Sequence, residues 1–287
     1  MGCSVGIDIG GTNIKYVLMN SKRELIHSDL IKTDDYMKNV FEIIDLCLQK
    51  AENNISKIGI GIPGTVDHNN GIIIDSPALN CSDVNIKEII NSRYDITVEL
   101  DNDVNCWALA ELEIGACKNN NNFVMITLGT GIGSSVIISR EIYRGYQNLA
   151  GEIGYFTLDK EAYNSQNSNL QFGYFEKIAS PLGIESRYFE DFGEKKTAKE
   201  IIELYARGEK SAKLIVENAF DYIGLGINNI ICLLSPEKII IGGGMSKAGS
   251  LLTKALKDRV EKICPYPRII EISKTGQYGG AIGSTLL

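Results

Sequence analysis

In the first half of the chain, short apolar runs alternate with segments in which apolar residues recur every three or four positions. The apolar runs predict a pair of β-strands within residues 3–19, joined by a Gly10-Gly11-Thr12 turn, and further strands at 24–31, 57–62 and 96–100. The segments with helical spacing predict α-helices at 40–52, 85–91 and 104–116. This alternation is typical of an α/β fold in which helices cover a sheet.

The second half begins with the same strand pattern and then becomes mostly helical. Strands are predicted at 123–128 and 134–139 around a glycine turn, and again at 237–241 and 269–272. Helices are predicted at 172–179, 198–206, 211–234, 246–263 and 280–287. The polar run 118–122 predicts a boundary between a lobe at 1–117 and a lobe at 118–276. A C-terminal helix at about 277–287 is expected to pack back on the first lobe.

The two halves open with similar segments, VGIDIGGTNIKYVLM and FVMITLGTGIGSSVII. Each contains an apolar strand, a glycine turn with a threonine, and a second apolar strand. This repetition predicts two related lobes, although any two β-hairpins with glycine turns would also look alike.

Composition and charge narrow the class of protein. The 287 residues suffice for two domains, and the net charge of -7 without a basic stripe argues against nucleic acid as a partner. The seven cysteines form no Cys-x-x-Cys pair, which favours reduced thiols in a cytoplasmic protein over a disulfide framework. No apolar run approaches the ~20 residues that span a bilayer, so we expect no membrane association.

Two glycine turns have the composition of phosphate-binding loops. In the first, Gly10, Gly11 and Thr12 follow a strand that ends near Asp8, with Lys15 just beyond. Glycine lets backbone N–H groups approach an anion closely, and Asp8 suits a water-mediated contact to Mg²⁺. The second turn, 129–133, has Gly-x-Gly-x-Gly spacing and leads into a strand, which excludes a dinucleotide-binding loop and a Walker loop. An ordinary tight hairpin is the alternative for either turn.

Two further segments carry candidate side chains for binding and catalysis. Asp103 could accept a proton from a substrate hydroxyl while Asn102 orients that substrate, although a polar cluster at a helix start is often only an N-cap. Glu152, between Gly151 and Gly154, could bind vicinal hydroxyls, or could lie in a surface turn. The glycine run 242–244 leads from a strand into a helix and would suit the wall of a nucleotide site.

Together these motifs resemble the signature series of the ROK family (repressors, open reading frames and kinases). The resemblance extends from residue 4 to the end of the chain, and its motifs follow the family's order. The matching segments are 8–12, 101–105, 128–133, 150–154 and 242–244. The resemblance implies an actin/hexokinase-like fold with two ribonuclease-H-like lobes, and ATP-dependent phosphorylation of a sugar hydroxyl with Mg²⁺ as cofactor.

The resemblance also implies a role for each matching residue. Asp103 would be the general base. The sugar would contact Gly64, Asn102, Asp103, Glu152, Tyr155 and Glu176, the last from a Gly173-Tyr174-Phe175-Glu176 segment that resembles the family's Gly-Cys-x-Glu. ATP and its phosphates would contact Asp8, Gly10, Gly11, Thr12, Lys15, Thr130, Gly131, Gly243 and Gly244.

The chain departs from the family pattern at its metal motif. Tyr155 stands where the family usually has a histidine that binds both a structural zinc ion and the sugar. The family's cysteine motif is absent, and residues 163–173 contain no cysteine. We therefore expect no structural zinc, and the sugar (hexose, hexosamine or glucoside) stays open because Tyr155 changes one wall of its pocket.

One other function of the family, repression of transcription, is disfavoured, and two alternatives to a sugar kinase stay open. Family repressors carry a helix-turn-helix domain ahead of the first glycine motif, whereas only seven residues precede Asp8 here, so we expect no DNA-binding domain. A non-catalytic sugar-sensing protein and a kinase of another actin-like branch remain alternatives. We expect a cytoplasmic homodimer.

Overall fold

The computed structural model describes residues 2–164, 173–266 and 268–287, and these divide into two compact units. The first unit comprises Met1–Asn119, Glu141–Ala150 and Lys274–Leu287, and the second comprises Asn120–Arg140 and Gly151–Ser273. The sequence prediction placed the whole of 118–276 in one lobe. The structure instead assigns Glu141–Ala150 to the first unit, where Arg144 forms an ion pair with Asp101.

The secondary-structure elements are named in chain order. The strands are β1 (Cys3–Ile9), β2 (Asn13–Met19), β3 (Leu25–Lys32), β4 (Ile55–Ile62), β5 (Thr65–Asp67), β6 (Ile72–Ser76), β7 (Cys81–Asn85), β8 (Thr97–Asn102), β9 (Phe123–Leu128), β10 (Ile132–Ile138), β11 (Glu141–Ile142), β12 (Lys238–Gly242) and β13 (Ile269–Ile272). The helices are α1 (Tyr36–Lys50), α2 (Ile86–Asn91), α3 (Asp103–Glu113), α4 (Tyr174–Ala179), α5 (Pro181–Phe192), α6 (Ala198–Ala206), α7 (Lys210–Leu234), α8 (Ser250–Ile263) and α9 (Gly279–Ser284).

The main sheet of the first unit has the strand order β3-β2-β1-β4-β8. Strand β1 is antiparallel to β2 and parallel to β4, and β4 is parallel to β8. The apolar side chains of β1 and β4, such as Ile7 and Ile60, are fully buried and pack in one core with Val40 and Ile44 of α1. Because β1, β4 and β8 run in parallel, the carboxyl ends of these strands, which carry candidate residues, share one edge of the sheet.

The second unit repeats this pairing pattern. Strands β10, β9, β12 and β13 lie side by side in that order, with β9 antiparallel to β10 and parallel to β12, and β12 parallel to β13. The two glycine hairpins therefore occupy the same place in their own sheets, as expected for related lobes. The core of this unit lies between the sheet and the helices, where Phe175 of α4 and Phe220 of α7 are buried.

The short C-terminal helix α9 lies in the first unit and packs closely on its sheet. A Cβ atom at Gly6 of β1 would overlap Ala281 O, and one at Gly59 of β4 would overlap Ser284 O. A Cβ atom at Gly283 would likewise overlap Cys106 O of α3. Glycine at these positions lets α9 approach both the sheet and α3 directly.

Several predicted boundaries differ from the structure for local reasons. The helix predicted at 246–263 begins only at Ser250, because Gly244–Ala248 forms a 3-10 turn and Gly249 has a φ of 59°. The helix predicted at 172–179 begins at Tyr174, and Phe172 lies outside the described residues. The sequence prediction missed the β5-β6-β7 sheet and helix α5 entirely. In the part of the chain that the structure describes, no helix has the length and apolar character needed to cross a bilayer.

Candidate active site

Asp8 lies near the carboxyl end of β1 with its carboxylate buried. It is paired in register with Lys15 of β2, whose Nζ lies 3.6 Å from Asp8 Oδ2. Burial raises the pKa of Asp8, and the charge and hydrogen bond of Lys15 act in the opposite direction. A Cβ atom at Gly280 would lie 2.7 Å from Asp8 Oδ2, so glycine in α9 leaves the room that this carboxylate needs.

The turn between β1 and β2 is held from the end of β3. Thr33 Oγ1 donates to Gly10 O at 2.7 Å, and Thr33 N donates to Thr12 O at 3.0 Å. Gly10 N donates across the turn to Asn13 O at 3.0 Å. Gly11 and Thr12 at the tip are exposed to solvent. The backbone of this turn is therefore fixed while its tip stays accessible to an anion.

Helix α3 begins directly after β8, and Asn102 provides its N-cap. Asn102 Oδ1 accepts from Val104 N at 2.8 Å and from Asn105 N at 3.2 Å. Asn102 Nδ2 donates to Gly64 O at 3.0 Å, which ties the helix start to the turn after β4. Asp103, the first helical residue, also accepts from Val104 N through Oδ1 at 3.0 Å. The cap therefore rests mainly on Asn102, and Asp103 lies half-buried beside it.

Asp101 is a buried carboxylate that the sequence prediction did not assign to the site. Its Oδ2 accepts from Arg144 Nε at 3.1 Å and also from Arg144 Nη2. Its Oδ1 accepts from Asn102 N at 2.7 Å and from Asn105 Nδ2 at 2.8 Å. Asp101 and Arg144 thus fix the backbone that carries Asn102 and Asp103. Asp101 and Arg144 are separated by 43 positions, so the sequence carries no local signal for this pair.

In the second unit, Glu176 lies against the turn between β9 and β10. Glu176 Oε1 accepts from Ile132 N at 2.7 Å, and Gly129 N donates to Gly131 O at 3.0 Å to close the turn. Burial raises the pKa of Glu176, the hydrogen bonds from the backbone of Ile132 and Gly173 lower it, and the charge of Glu152 raises it further. A Cβ atom at Gly154 would lie 3.4 Å from Glu176 Cβ, so Glu176 and the segment 152–155 share one region of the unit.

Glu152 directly precedes a short 3-10 turn, Ile153–Tyr155, and Tyr155 is its last residue. Both side chains are accessible to solvent, and 44% of the Tyr155 surface is exposed. The protein around the carboxylate of Glu152 still raises its pKa by desolvation. A Cβ atom at Gly173 would overlap Gly154 O, so this glycine permits the close contact between α4 and the turn. Glu152, Tyr155 and Glu176 are thereby brought together.

The glycine run after β12 packs on the end of β9. Gly243 has a φ of 82°, and a Cβ atom there would overlap the backbone carbonyl of Leu128. Around Gly244 there is open space at the Cβ position. The run therefore lies beside the start of the 129–133 turn, with Gly244 on an unobstructed side.

The predicted site residues separate by unit. The first unit carries Asp8, Gly10, Gly11, Thr12, Lys15, Gly64, Asn102 and Asp103, and the second carries Thr130, Gly131, Glu152, Tyr155, Glu176, Gly243 and Gly244. The cysteine-free segment 163–173 that bears on zinc lies partly outside the described residues, since 165–172 are not described. Within the described ranges, the side chains of His, Cys, Asp and Glu form no group of three or more that could hold a metal ion.

Comparison with known proteins identifies relatives over almost the whole chain. The family model described as ROK family matches residues 4–287. A glucokinase from Halalkalibacterium halodurans is 31% identical, with 97% of this chain and 92% of the relative covered. An N-acetyl-D-glucosamine kinase from Photobacterium profundum is 29% identical, with 98% of each chain covered. A xylose repressor from Caldicellulosiruptor bescii is 25% identical, with 96% of this chain and 75% of the relative covered.

Solved structures share the fold. A ROK hexokinase from Thermus thermophilus superposes with a TM-score of 0.85 at 24% identity, covering 99% of this chain and 97% of the other. A ROK family glucokinase from Streptomyces griseus, in complex with glucose and AMPPNP, gives 0.82 at 21% identity, covering 99% and 98%. These likenesses confirm the predicted α/β, actin/hexokinase-like fold.

Proposed function

The chain belongs to the ROK family, and we propose that it is an ATP-dependent sugar kinase in which Asp103 is the general base. Phosphorylation of a sugar in general is supported by the kinases among its relatives. The observation that carries the assignment of the base is that Asn102 accepts from both Val104 N and Asn105 N. Helix α3 therefore keeps a cap that does not depend on the carboxylate of Asp103.

The proposed role of Asp103 is to receive the proton of the hydroxyl that attacks the γ-phosphorus of ATP. Phosphoryl transfer passes through a loose transition state, so positioning and charge neutralisation matter more than a strongly basic carboxylate. Asn102, held by Gly64 O, would hydrogen-bond the sugar and place its hydroxyl beside Asp103. The ion pair of Asp101 and Arg144 would hold the backbone of Asn102 and Asp103 in place.

For the phosphates of ATP we propose the two glycine turns. Gly10, Gly11 and Thr12 offer backbone N–H groups and a hydroxyl, and Lys15 adds positive charge at the base of the turn. Thr130 and Gly131 would do the same in the second unit, and Gly243 and Gly244 would contact the adenosine.

Asp8 fits a Mg²⁺ ion that is held through water. Its carboxylate is a hard oxygen ligand, and it is buried with Lys15 Nζ at 3.6 Å. When bound, Mg²⁺ would neutralise phosphate charge. Asp8 itself would orient the ion's water ligands, and Lys15 would hold that carboxylate in place.

For the sugar we propose that its hydroxyl groups donate hydrogen bonds to the carboxylates of Glu152 and Glu176, with Tyr155 forming part of the pocket wall. Glu152 is exposed to solvent and Glu176 is half-buried, and the carboxylate oxygens of both are acceptors for the hydroxyl groups of a sugar. The relatives suggest D-glucose and N-acetyl-D-glucosamine as first candidates.

The test of the general base is Asp103→Asn. We expect kcat to fall by about 10²- to 10⁴-fold while the Kd for ATP changes little, because the carboxylate acts on the proton and not on the nucleotide. Asp83→Asn, at an exposed position of the same unit, is the matched control. Near-normal turnover of a well-folded Asp103→Asn protein would reject the assignment.

An ATP-coupled screen over hexoses, hexosamines, β-glucosides and polyols identifies the substrate. Turnover of polyols alone would favour a kinase of another actin-like branch. Sugar binding without ADP formation, measured by calorimetry, would favour a sugar-sensing protein. We further propose a cytoplasmic homodimer that does not bind nucleic acid, which light scattering and a DNA gel-shift assay can check.

A further inference from the structure

Three side chains of the second unit form a hydrogen-bonded cluster that has no role in the chemistry proposed above. Tyr174 Oη donates to Asp159 Oδ1 at 2.9 Å and lies 3.1 Å from Oδ2, and Tyr222 Oη donates to Asp159 Oδ2. The two tyrosine rings meet edge to face with centroids 6.4 Å apart. The hydrogen bond from Tyr222 lowers the pKa of Asp159, so the carboxylate is ionised at neutral pH and these bonds are charge-assisted.

The three residues of this cluster come from three segments of the chain, and two of these segments carry proposed sugar-binding residues. Asp159 follows Tyr155 by four residues, and Tyr174 precedes Glu176 by two residues at the start of α4. Tyr222 belongs to α7, whose buried face forms much of the core of the unit. The carboxylate of Asp159 therefore links the segment that follows Tyr155 and the start of α4 to α7.

An apolar contact also connects the segment after Tyr155 and helix α4 to α7. Phe156 and Phe175 stack with centroids 6.4 Å apart and an interplanar angle of 15°. A Cβ atom at Gly226 of α7 would lie 3.1 Å from Phe175 Cζ and 3.9 Å from Phe156 Cδ2. The residue after Tyr155 and the residue before Glu176 thus both rest on α7.

We propose that Asp159, Tyr174 and Tyr222 form a clamp that positions Glu152, Tyr155 and Glu176 for binding the sugar. The clamp residues are positioning residues, since they act through the segment that follows Tyr155 and through α4. The proposal rests on the proposed function of these three sugar-binding residues. We expect the clamp to affect the affinity for the sugar and not the affinity for ATP.

The decisive variants remove one or both tyrosine hydroxyls and keep the rings. Tyr174→Phe and Tyr222→Phe are each expected to raise the KM and the Kd for the sugar about three- to tenfold, and the double variant more than either. The KM for ATP should change less than about twofold. Asp159→Asn keeps one carbonyl acceptor, so its effect should be smaller than that of Asp159→Ala.

A matched control separates positioning from simple loss of stability. Tyr205 Oη donates to Glu217 Oε1 at 2.6 Å in the same unit, also between a tyrosine and a carboxylate, and neither residue belongs to the proposed site. Tyr205→Phe is expected to lower the melting temperature about as much as Tyr174→Phe while leaving the sugar KM unchanged.

The measurements use D-glucose and N-acetyl-D-glucosamine as probes, with coupled kinetics for KM and calorimetry for Kd. Equal sugar KM and Kd values in the wild type and in the double tyrosine variant would overturn the clamp while leaving the kinase intact. Binding without phosphorylation by the wild type would reject the kinase, and the Kd values of the variants would still decide the clamp. A shift in the sugar KM of Tyr205→Phe equal to that of Tyr174→Phe would also overturn it.

Discussion

Arg144→Met is expected to destabilise the first unit and to slow catalysis, because it leaves the carboxylate of Asp101 without its ionic partner. The side chain of Asp101 is 2% exposed and that of Arg144 is 25% exposed. Among the described residues, loss of Arg144 leaves Asp101 with the hydrogen bonds from Asn102 N and Asn105 Nδ2. A buried charge that loses its partner is far more costly than a pair that is removed together.

The size of the effect follows from this burial. Removal of one partner from a fully buried pair costs about 3–5 kcal/mol, and since water reaches one quarter of Arg144 we expect about 2–4 kcal/mol. Adding Asp101→Asn to Arg144→Met removes the buried charge. The double variant should therefore be about 1–2 kcal/mol more stable than the sum of the two single losses predicts. The kcat should also fall, because Asp101 fixes the backbone of Asn102 beside the proposed base.

The single tryptophan gives a local probe of unfolding in the first unit. Trp107 lies on α3 and donates from Nε1 to Thr275 Oγ1 at 2.9 Å, so its fluorescence in urea reports on this unit. Arg23→Met is the matched control, since Arg23 pairs with Glu113 of α3 but is 64% exposed, and it should cost less than about 1 kcal/mol. If Arg144→Met costs no more than Arg23→Met, the reasoning from burial is refuted.

Three further predictions concern other parts of the molecule. Gly243→Ala should destabilise the protein by about 2–4 kcal/mol, and Gly193→Ala by about 1 kcal/mol. Both glycines have a positive φ, but only at Gly243 would the added Cβ atom overlap the backbone of Leu128. Thermal unfolding compares the two variants, and equal losses would contradict the steric argument. Burial raises the pKa of Glu176, so ionisation of this carboxyl above that pKa destabilises the folded state. As the pH falls from 7 to 5, the wild type should therefore gain stability relative to Glu176→Gln. Urea titrations at each pH check this, and a change of the opposite sign would refute it. Elemental analysis of the purified protein should find no stoichiometric zinc, and a tightly bound zinc ion would show that the departure from the family motif was misinterpreted.

The sequence alone located most of the regular structure and the candidate turns. The strands at Phe123–Leu128 and Ile269–Ile272 and the helix at Ala198–Ala206 have the predicted bounds. Such segments are predictable because each buries one face, and burial imposes a period of 2.0 or 3.6 residues. The β5-β6-β7 sheet was missed because its strands span three to five residues, too few to show a period.

Only the tertiary structure decided which polar groups meet. The choice of Asn102 as the cap, the pairing of Arg144 with Asp101 and the clamp around Asp159 depend on contacts between elements that are distant in sequence. Periodicity records which face of an element is buried, but not which element covers it. A hydrogen bond or ion pair across 43 or 63 residues leaves no pattern in a single sequence, and its geometry is fixed only when the sheets and helices pack.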